Sequence, residues 1–374
     1  MSSTSGEAGS SGKLPANRLQ RMVERALPGA QILRVVPLGA DSVAKDETAK
    51  GAGYGAPLRL DIVHQGRASS LVLHTASAND FGHDRRADRA SAVLLSADTF
   101  GLVPRHVAVL DVGAYRDEDD FVSLANTGEF YVLTTHATGE VYASDLRRIA
   151  ERGSLTATDV ARHGALVEYL STLHAERPAV PDAAYVRSIR DTLGSGEGVF
   201  GIVDGYPPAV PQASRERLAQ IEQQCLRFRH SLRGQARRLR RIHGDFHPFN
   251  VLFDQGSEPW LLDTSRGSLG DPADDVACMA INYAFFALGH VGVWRGALRS
   301  LWNGFWEQYL ARTRDDGLYR AAPLFLAWRG LVLASPIWYP ELRATDRDRI
   351  LSFVERALSA SEFRPALADE FFDT

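Results

Sequence analysis

The chain has 374 residues, enough for two ordinary domains or one bilobal one. Hydrophobic residues make up 45%, charged residues 24%, and the formal net charge is −4, which permits a sizeable core and argues against nucleic-acid or membrane-surface binding. Two distant cysteines, Cys225 and Cys278, and no apolar run of about 18 residues argue against a disulfide framework, a Cys–zinc site and a membrane span, so the expected compartment is the cytoplasm.

Residues 1–16, with the Ser/Gly-rich stretch MSSTSGEAGSSGK, read as a disordered tail lacking the apolar core of a signal peptide. LPANRLQRMVERAL then reads as an amphipathic helix with Leu19, Met22, Val23 and Leu27 on one face. ILRVVPLG is a first strand, followed by the loop ADSVAKDETAKGAGYGAP. LRLDIVHQG and SSLVLHTAS form an expected hairpin turning at Gln65-Gly66-Arg67. A helix is expected from about Arg85 to Phe100, then strands in VAVLDVGAY and EFYVLTTHA. After Gly139 the pattern becomes helical. TATDVARHGALVEYLSTLHAERP is a helix that Thr156 can cap, with Val160, Leu166, Val167, Leu170 and Leu173 as its apolar stripe. Residues 178–212, rich in Pro and Gly, show no clear period; ASRERLAQIEQQCLRFRHSLRGQARRL is again helical. Helices are expected from about Asp274 to the end, with Trp302 and Trp306 four apart on a core face. The reading is an α+β chain with a small β-rich lobe, a hinge near Thr134–Gly139 and a larger helical lobe.

The polar run HGDFHPFNVLFD, residues 243–254, carries the chemistry. NVLFD and WLLD are short apolar strands separated by QGSEP, and pairing them as a hairpin brings Asn250 close to Asp263. An amide oxygen and a carboxylate are hard-oxygen ligands suited to Mg²⁺, which keeps its other positions for water and phosphate. Asp245 is then free to accept a proton from a hydroxyl and orient it. Two bland readings stand beside this one: a structural loop, and a two-His metal site that lacks a further ligand set at recognisable spacing.

Asp-x4-Asn followed about a dozen residues later by a strand-terminal Asp is the arrangement of kinase-type phosphoryl transfer. The segments HGDFHPFN and DTSRGSLGDPADDVA resemble the aminoglycoside phosphotransferase and choline kinase superfamily, whose pattern is HGDxHxxN followed by D…GDPxxDxA. The resemblance spans residues 17 to about 355, with a close match only over 243–277. It implies a protein-kinase-like bilobal fold: a small antiparallel β-rich N-lobe over 17–136 that binds the nucleotide, and a mainly helical C-lobe over 137–374 with the catalytic loop, metal segment and acceptor pocket. It implies Asp245 as catalytic base, Asn250 and Asp263 as Mg²⁺ ligands, and His243 as a brace for the loop. Asp271 and Asp275 become structural, Asp271 capping the next helix. The implied activity is ATP- or GTP-dependent transfer of the terminal phosphoryl group to a hydroxyl of a small molecule, aminoglycoside-, sugar- or amino-alcohol-like. The alternatives are a nucleotide-binding pseudokinase and a kinase fold repurposed for other transfer chemistry.

Three departures from the pattern matter. The third strand, where a kinase carries its phosphate-clamping Lys, offers His74, and DRRADRASAVLLS has no Glu to pair with a Lys. The loop with Gly51, Gly53 and Gly55 carries Lys45 and Lys50, two of only three lysines against 39 arginines, so Lys50 is a candidate to supply the phosphate charge, with solvated lysines as the alternative. Arg266, three residues past Asp263, is placed to touch a transferred phosphate or to pair with Asp274. The seven arginines of RFRHSLRGQARRLRR read as a solvated helix face, and Arg329 is an Arg inside an apolar helix that SPIWYPE ends.

Overall fold

The computed structural model describes residues 15–37, 57–79, 81–116, 120–264, 266–290, 292–360 and 362–373. Residues 1–14 of the expected disordered tail, Lys45, Lys50 and the glycines at 51, 53 and 55 lie outside these residues, while Ala16, read as its end, already begins a helix. The chain divides into two compact units, 1–133 and 134–374.

In the first unit, α1 (Ala16–Ala26) turns Leu19 and Val23 inward, where they form a small core with Ala30, Leu60 and Ile62. Strands β1 (Gln31–Pro37), β2 (Leu58–His64) and β3 (Arg67–Leu73) make an antiparallel sheet in the order β1-β2-β3. The hairpin turns at Gln65 and Gly66, both with positive φ (51° and 73°), the conformation a tight two-residue turn needs to match strand twist. Helix α2 (Arg86–Thr99) follows, then a separate two-stranded ladder of β4 (Gly113–Tyr115) and β5 (Phe121–Ser123).

Two expected strands are not formed as read. Only the last three residues of VAVLDVGAY are extended in a ladder, and residues 129–138 have no strand assignment. Phe130, Tyr131, Val132 and Leu133 are exposed. An apolar β-type run states a preference; a strand exists only when a neighbouring chain takes up its backbone hydrogen bonds.

The second unit begins with β6 (Glu140–Val141) and α3 (Tyr142–Arg152). Helix α4 (Ala157–Leu173) is capped by Thr156, whose side chain accepts from Asp159 N while the Asp159 carboxylate accepts from Thr156 N. Leu166, Val167 and Leu170 are buried, whereas Val160 is exposed, because the first turn of α4 is given to this capping and to the Asp159–Arg152 ion pair. The Pro/Gly-rich stretch folds into α5 (Ala183–Gly194) and α6 (Val199–Asp204), and α7 (Arg215–Leu232) follows. The short strands β7 (Arg240–Arg241), β8 (Val251–Phe253), β9 (Pro259–Leu261) and β10 (Leu269–Gly270) pair antiparallel as β6-β8-β9 and β10-β7.

Helices α8 (Pro272–Ala287), α9 (Arg299–Thr313), α10 (Leu318–Ala334) and α11 (Ala344–Ser359) complete the unit. α8 and α10 are buried on nearly every side, which their apolar sequences permit. Gly330 lets α10 and α11 approach, since any side chain there would collide with Val354. Trp302 and Trp306 are fully buried, as their spacing on a core face expects. The α+β class holds: small antiparallel sheets in the first unit, mainly helices in the second.

Candidate active site

The loop 242–250 leaves β7 and enters β8. Its start is held by a carboxylate from α8: Asp275 Oδ2 accepts from His243 N (2.7 Å) and Oδ1 from Gly244 N (2.8 Å). His174 Nε2 meets the same Oδ2 at 3.0 Å, and its Nδ1 meets the Tyr309 hydroxyl at 2.7 Å. Burial pushes the Asp275 carboxyl up, but the His174 hydrogen bond and the main-chain amide of His243 hold it below its ordinary value, so it is ionised. α8 is fixed in turn by its cap, because Asp271 accepts from Ala273 N (2.9 Å), from both arms of the Arg238 fork (2.8 Å each) and from the Tyr185 hydroxyl. The structural parts expected of Asp271 and Asp275 thus have a geometry.

Gly244 has φ +82°, and a Cβ there would stand 2.8 Å from Gly267 O, so the loop turns only with glycine at this place. His243 Nδ1 accepts from Asp245 N at 3.2 Å, and burial lowers the pKa of this imidazole, leaving the ring neutral. Its contact is to the main chain beside Asp245.

Asp245 is surrounded by donors. Oδ1 receives Arg329 Nη1 (2.8 Å) and Arg266 Nη2 (3.0 Å). Oδ2 receives Asn250 Nδ2 (3.1 Å), with His247 Nε2 at 3.5 Å. Burial raises the pKa of this carboxyl, but His247, Arg329 and Arg266 together hold it far below the usual carboxylate range. Both guanidiniums lie 4.0 Å from the Trp328 ring centroid, and the Trp328 indole N–H donates to Glu197 O (2.7 Å).

Arg329 Nη2 also reaches Gly244 O and Asp274 Oδ1, each at 3.2 Å. Asp274 is therefore a buried partner of Arg329. Burial pushes it up to about 6, against the attraction of Arg329 and Arg266, since the Arg329 fork is shared with Asp245 and Asp275 lies nearby. Arg266 takes Asp245, not Asp274, as its carboxylate partner. The arginine run before the loop is not one solvated face: Arg238 is buried between Asp271 and Asp315, and Arg241 pairs with Glu176.

The hairpin of β8 and β9 is as read, and Leu262 N donates to Asn250 O at 2.9 Å, so Asp263 follows directly on the residue bonded to Asn250. Asp263 is exposed and has φ +42°, a left-handed conformation that costs a non-glycine residue roughly 1 kcal/mol or more. The Asn250 amide NH₂ is taken by Asp245 O and Oδ2, both 3.1 Å away, which leaves its Oδ1 as the atom to offer a cation. Asn250 Oδ1 and the Asp263 carboxylate fit Mg²⁺ in chemistry, as two hard oxygens with no soft ligand. Among the described residues no group of three or more His, Cys, Asp or Glu could hold a metal. His74 is exposed just past β3 in the first unit.

The sequence offered Asp274 only as a helix start and a possible partner of Arg266, and gave no sign that His174 is bonded to Asp275. Arg329 was visible as a charge inside an apolar helix, a signal that a buried counter-charge exists, but nothing local named Asp245 as that partner.

An Asp–Asn pair on a loop pinned from a helix, beside a hairpin that ends in Asp, is the geometry on which the family comparison bears. The chain belongs to the APH phosphotransferase enzyme family, which it matches over residues 63–315. Among solved structures it is similar to a glucosamine kinase, at 20% identity and TM-score 0.37, over 58% of this chain and 57% of that one. It thus spans little more than half of that protein's length. Choline kinase LicA from Streptococcus pneumoniae matches at 12% identity and TM-score 0.34, over 91% of this chain and 97% of that one. ADP-bound aminoglycoside phosphotransferase APH(2'')-Ib matches at 12% identity and TM-score 0.30, over 96% and 100%. No curated protein matches the chain.

Proposed function

We propose that the protein transfers the terminal phosphoryl group of ATP or GTP to a hydroxyl of a small molecule, with Asp245 as the group that receives and aligns that hydroxyl. The observation that carries this reading is the Asp245–Asn250 pair: one side chain held ionised, the other with its amide oxygen left for a cation. Phosphoryl transfer of this kind depends on positioning and charge more than on a strong base, which suits a carboxylate of very low basicity. Asp245 Oδ1 is occupied by two guanidiniums, so the acceptor hydroxyl donates to Oδ2, displacing the long contact from His247. His243 and Asp275 hold the loop main chain so that Asp245 keeps this aim.

Mg²⁺ held by Asn250 and Asp263 would neutralise charge on the terminal phosphates. Arg266, half-buried beside Asp245, would follow the transferred phosphoryl group. The first unit takes the nucleotide, with Lys50 and the glycines at 51, 53 and 55 covering its phosphates and His74 as a further donor. The second unit takes the acceptor. Cys225 and Cys278 are buried and unpaired, which fits a reducing cytoplasm. No helix among the described residues is long and apolar enough to cross a membrane.

The test is direct. Purified full-length chain is incubated with ATP or GTP, Mg²⁺ and a library of hydroxyl metabolites, and products are read by ³¹P NMR. A phosphomonoester with stoichiometric nucleoside diphosphate supports the proposal. AMP with diphosphate, or no nucleotide turnover with any acceptor, defeats it.

A further inference from the structure

The second unit contains a cavity of about 740 Å³, within the size range of small-molecule sites, that is lined by none of Asp245, Asn250 and Asp263. Its lining comes from the end of α4, the segment between α7 and β7, and the turn joining α9 to α10. Seven arginines line it against two aspartates, Asp315 and Asp316, a surplus of five positive charges.

One of the seven, Arg238, is neutralised by Asp271 and Asp315. The other six, Arg177, Arg237, Arg240, Arg312, Arg314 and Arg320, have no carboxylate partner among the described residues. Arg240 donates only to the main-chain oxygens of Arg237 and Leu239. Elsewhere in the same unit arginines find acids: Arg162 takes Asp145, Arg187 takes Asp191, and Arg217 takes both Asp348 and Glu355. Unpaired like charges gathered round a concavity repel one another, and the field they make is focused on its interior. A ligand with several negative charges removes that cost.

We infer that this cavity is a binding site for a small anion carrying two or more phosphate groups, separate from the catalytic cluster. Phosphate is favoured over carboxylate because guanidinium forks grip its oxygens in pairs and one phosphate group can be shared by two arginines. More than one phosphate is needed because a single group would leave most of the surplus charge unmatched. Phe228, Leu232 and Tyr309 supply a partly apolar wall against which the body of such a ligand rests. The site also lies one residue from the catalytic loop. His174 and Tyr309 line the cavity and are bonded to each other, and His174 is bonded to Asp275, which holds His243 and Gly244.

Calorimetry on the full-length chain at low salt, with divalent cations chelated so that a metal-dependent nucleotide site is silent, tests this. The two probes are tripolyphosphate and inositol hexakisphosphate, and whichever binds tighter tells whether a linear polyphosphate or a phosphorylated ring is the better mimic. Saturable binding is expected, with affinity falling about tenfold or more, some 1.4 kcal/mol, in Arg312→Ala/Arg320→Ala. Both of these side chains are exposed, so the fold survives their loss. The control Arg227→Ala/Arg233→Ala removes two exposed arginines that do not line the cavity and leaves affinity unchanged. Absence of saturable binding by both probes overturns the inference. So does a cavity double variant that binds as tightly as wild type, or a control that weakens binding equally.

Discussion

Arg329 Nη1 lies 2.8 Å from Asp245 Oδ1, although the two residues are 84 positions apart and one belongs to a helix interior and the other to a loop. The guanidinium is buried, and its second arm reaches Gly244 O and Asp274. One side chain therefore ties the loop of the proposed catalytic carboxylate to α10 and, after His247 and together with Arg266, helps hold that carboxylate ionised.

Replacing Arg329 by Met leaves buried Asp274 without its cation and half-buried Asp245 with Arg266 as its remaining arginine. Loss of one partner from a buried pair costs about 3–5 kcal/mol, so Arg329→Met is expected to lower unfolding free energy by roughly that amount. Arg329→Lys is expected to recover little, because a single ammonium cannot span both carboxylates and Gly244 O as the fork does. Urea denaturation of the three proteins measures this, and a Met variant as stable as wild type contradicts it.

Asp245→Asn keeps the shape of the side chain and removes its charge. Turnover is expected to fall by about 10² or more, with nucleotide affinity little changed. Asp263→Asn is expected instead to weaken nucleotide binding only when Mg²⁺ is present. Steady-state kinetics together with nucleotide titrations at several Mg²⁺ concentrations separate the two roles; full activity in either variant removes that residue from the site.

Asp274 gives a pH signature. Burial raises its folded pKa to about 6, above that of an aspartate in water, so between about pH 4 and 6 the folded state keeps a proton that the unfolded state has lost. Its stabilising contribution is complete below pH 4 and is lost as pH rises from there through 6, by about 3 kcal/mol. Asp245 runs the other way, since its depressed pKa supports the fold above pH 4 and fails in stronger acid. Unfolding free energy compared between wild type and Asp274→Asn from pH 4 to 8 isolates the first effect. The difference should move in favour of the variant as pH rises, and a flat difference is evidence against the assignment.

Lys50→Ala is expected to weaken ATP binding by about 1–2 kcal/mol, the worth of a hydrogen bond to a charged group, while His74→Lys does not abolish binding. Calorimetric titration with ATP at two pH values reports both, and an unchanged Kd for Lys50→Ala would show a merely solvated lysine.

What the sequence determined by itself was local. The Gln65-Gly66 turn, the Thr156 and Asp271 caps and the hairpin of 251–261 each depend on groups a few residues apart, whose geometry the backbone fixes with little outside help. The motif HGDFHPFN likewise placed Asp245 beside Asn250, because five residues of loop reach no further. Tertiary structure alone decided the rest. The apolar runs at 107–115 and 129–137 read as strands, but only 113–115 finds a ladder partner, which neither run's own residues specify. Arg329 announced only that a buried cation needs a counter-charge. That its partners are Asp245 and Asp274, and that Arg266 competes for the same oxygen, follows from packing α10 against α8 and the loop, where few buried carboxylates lie within reach.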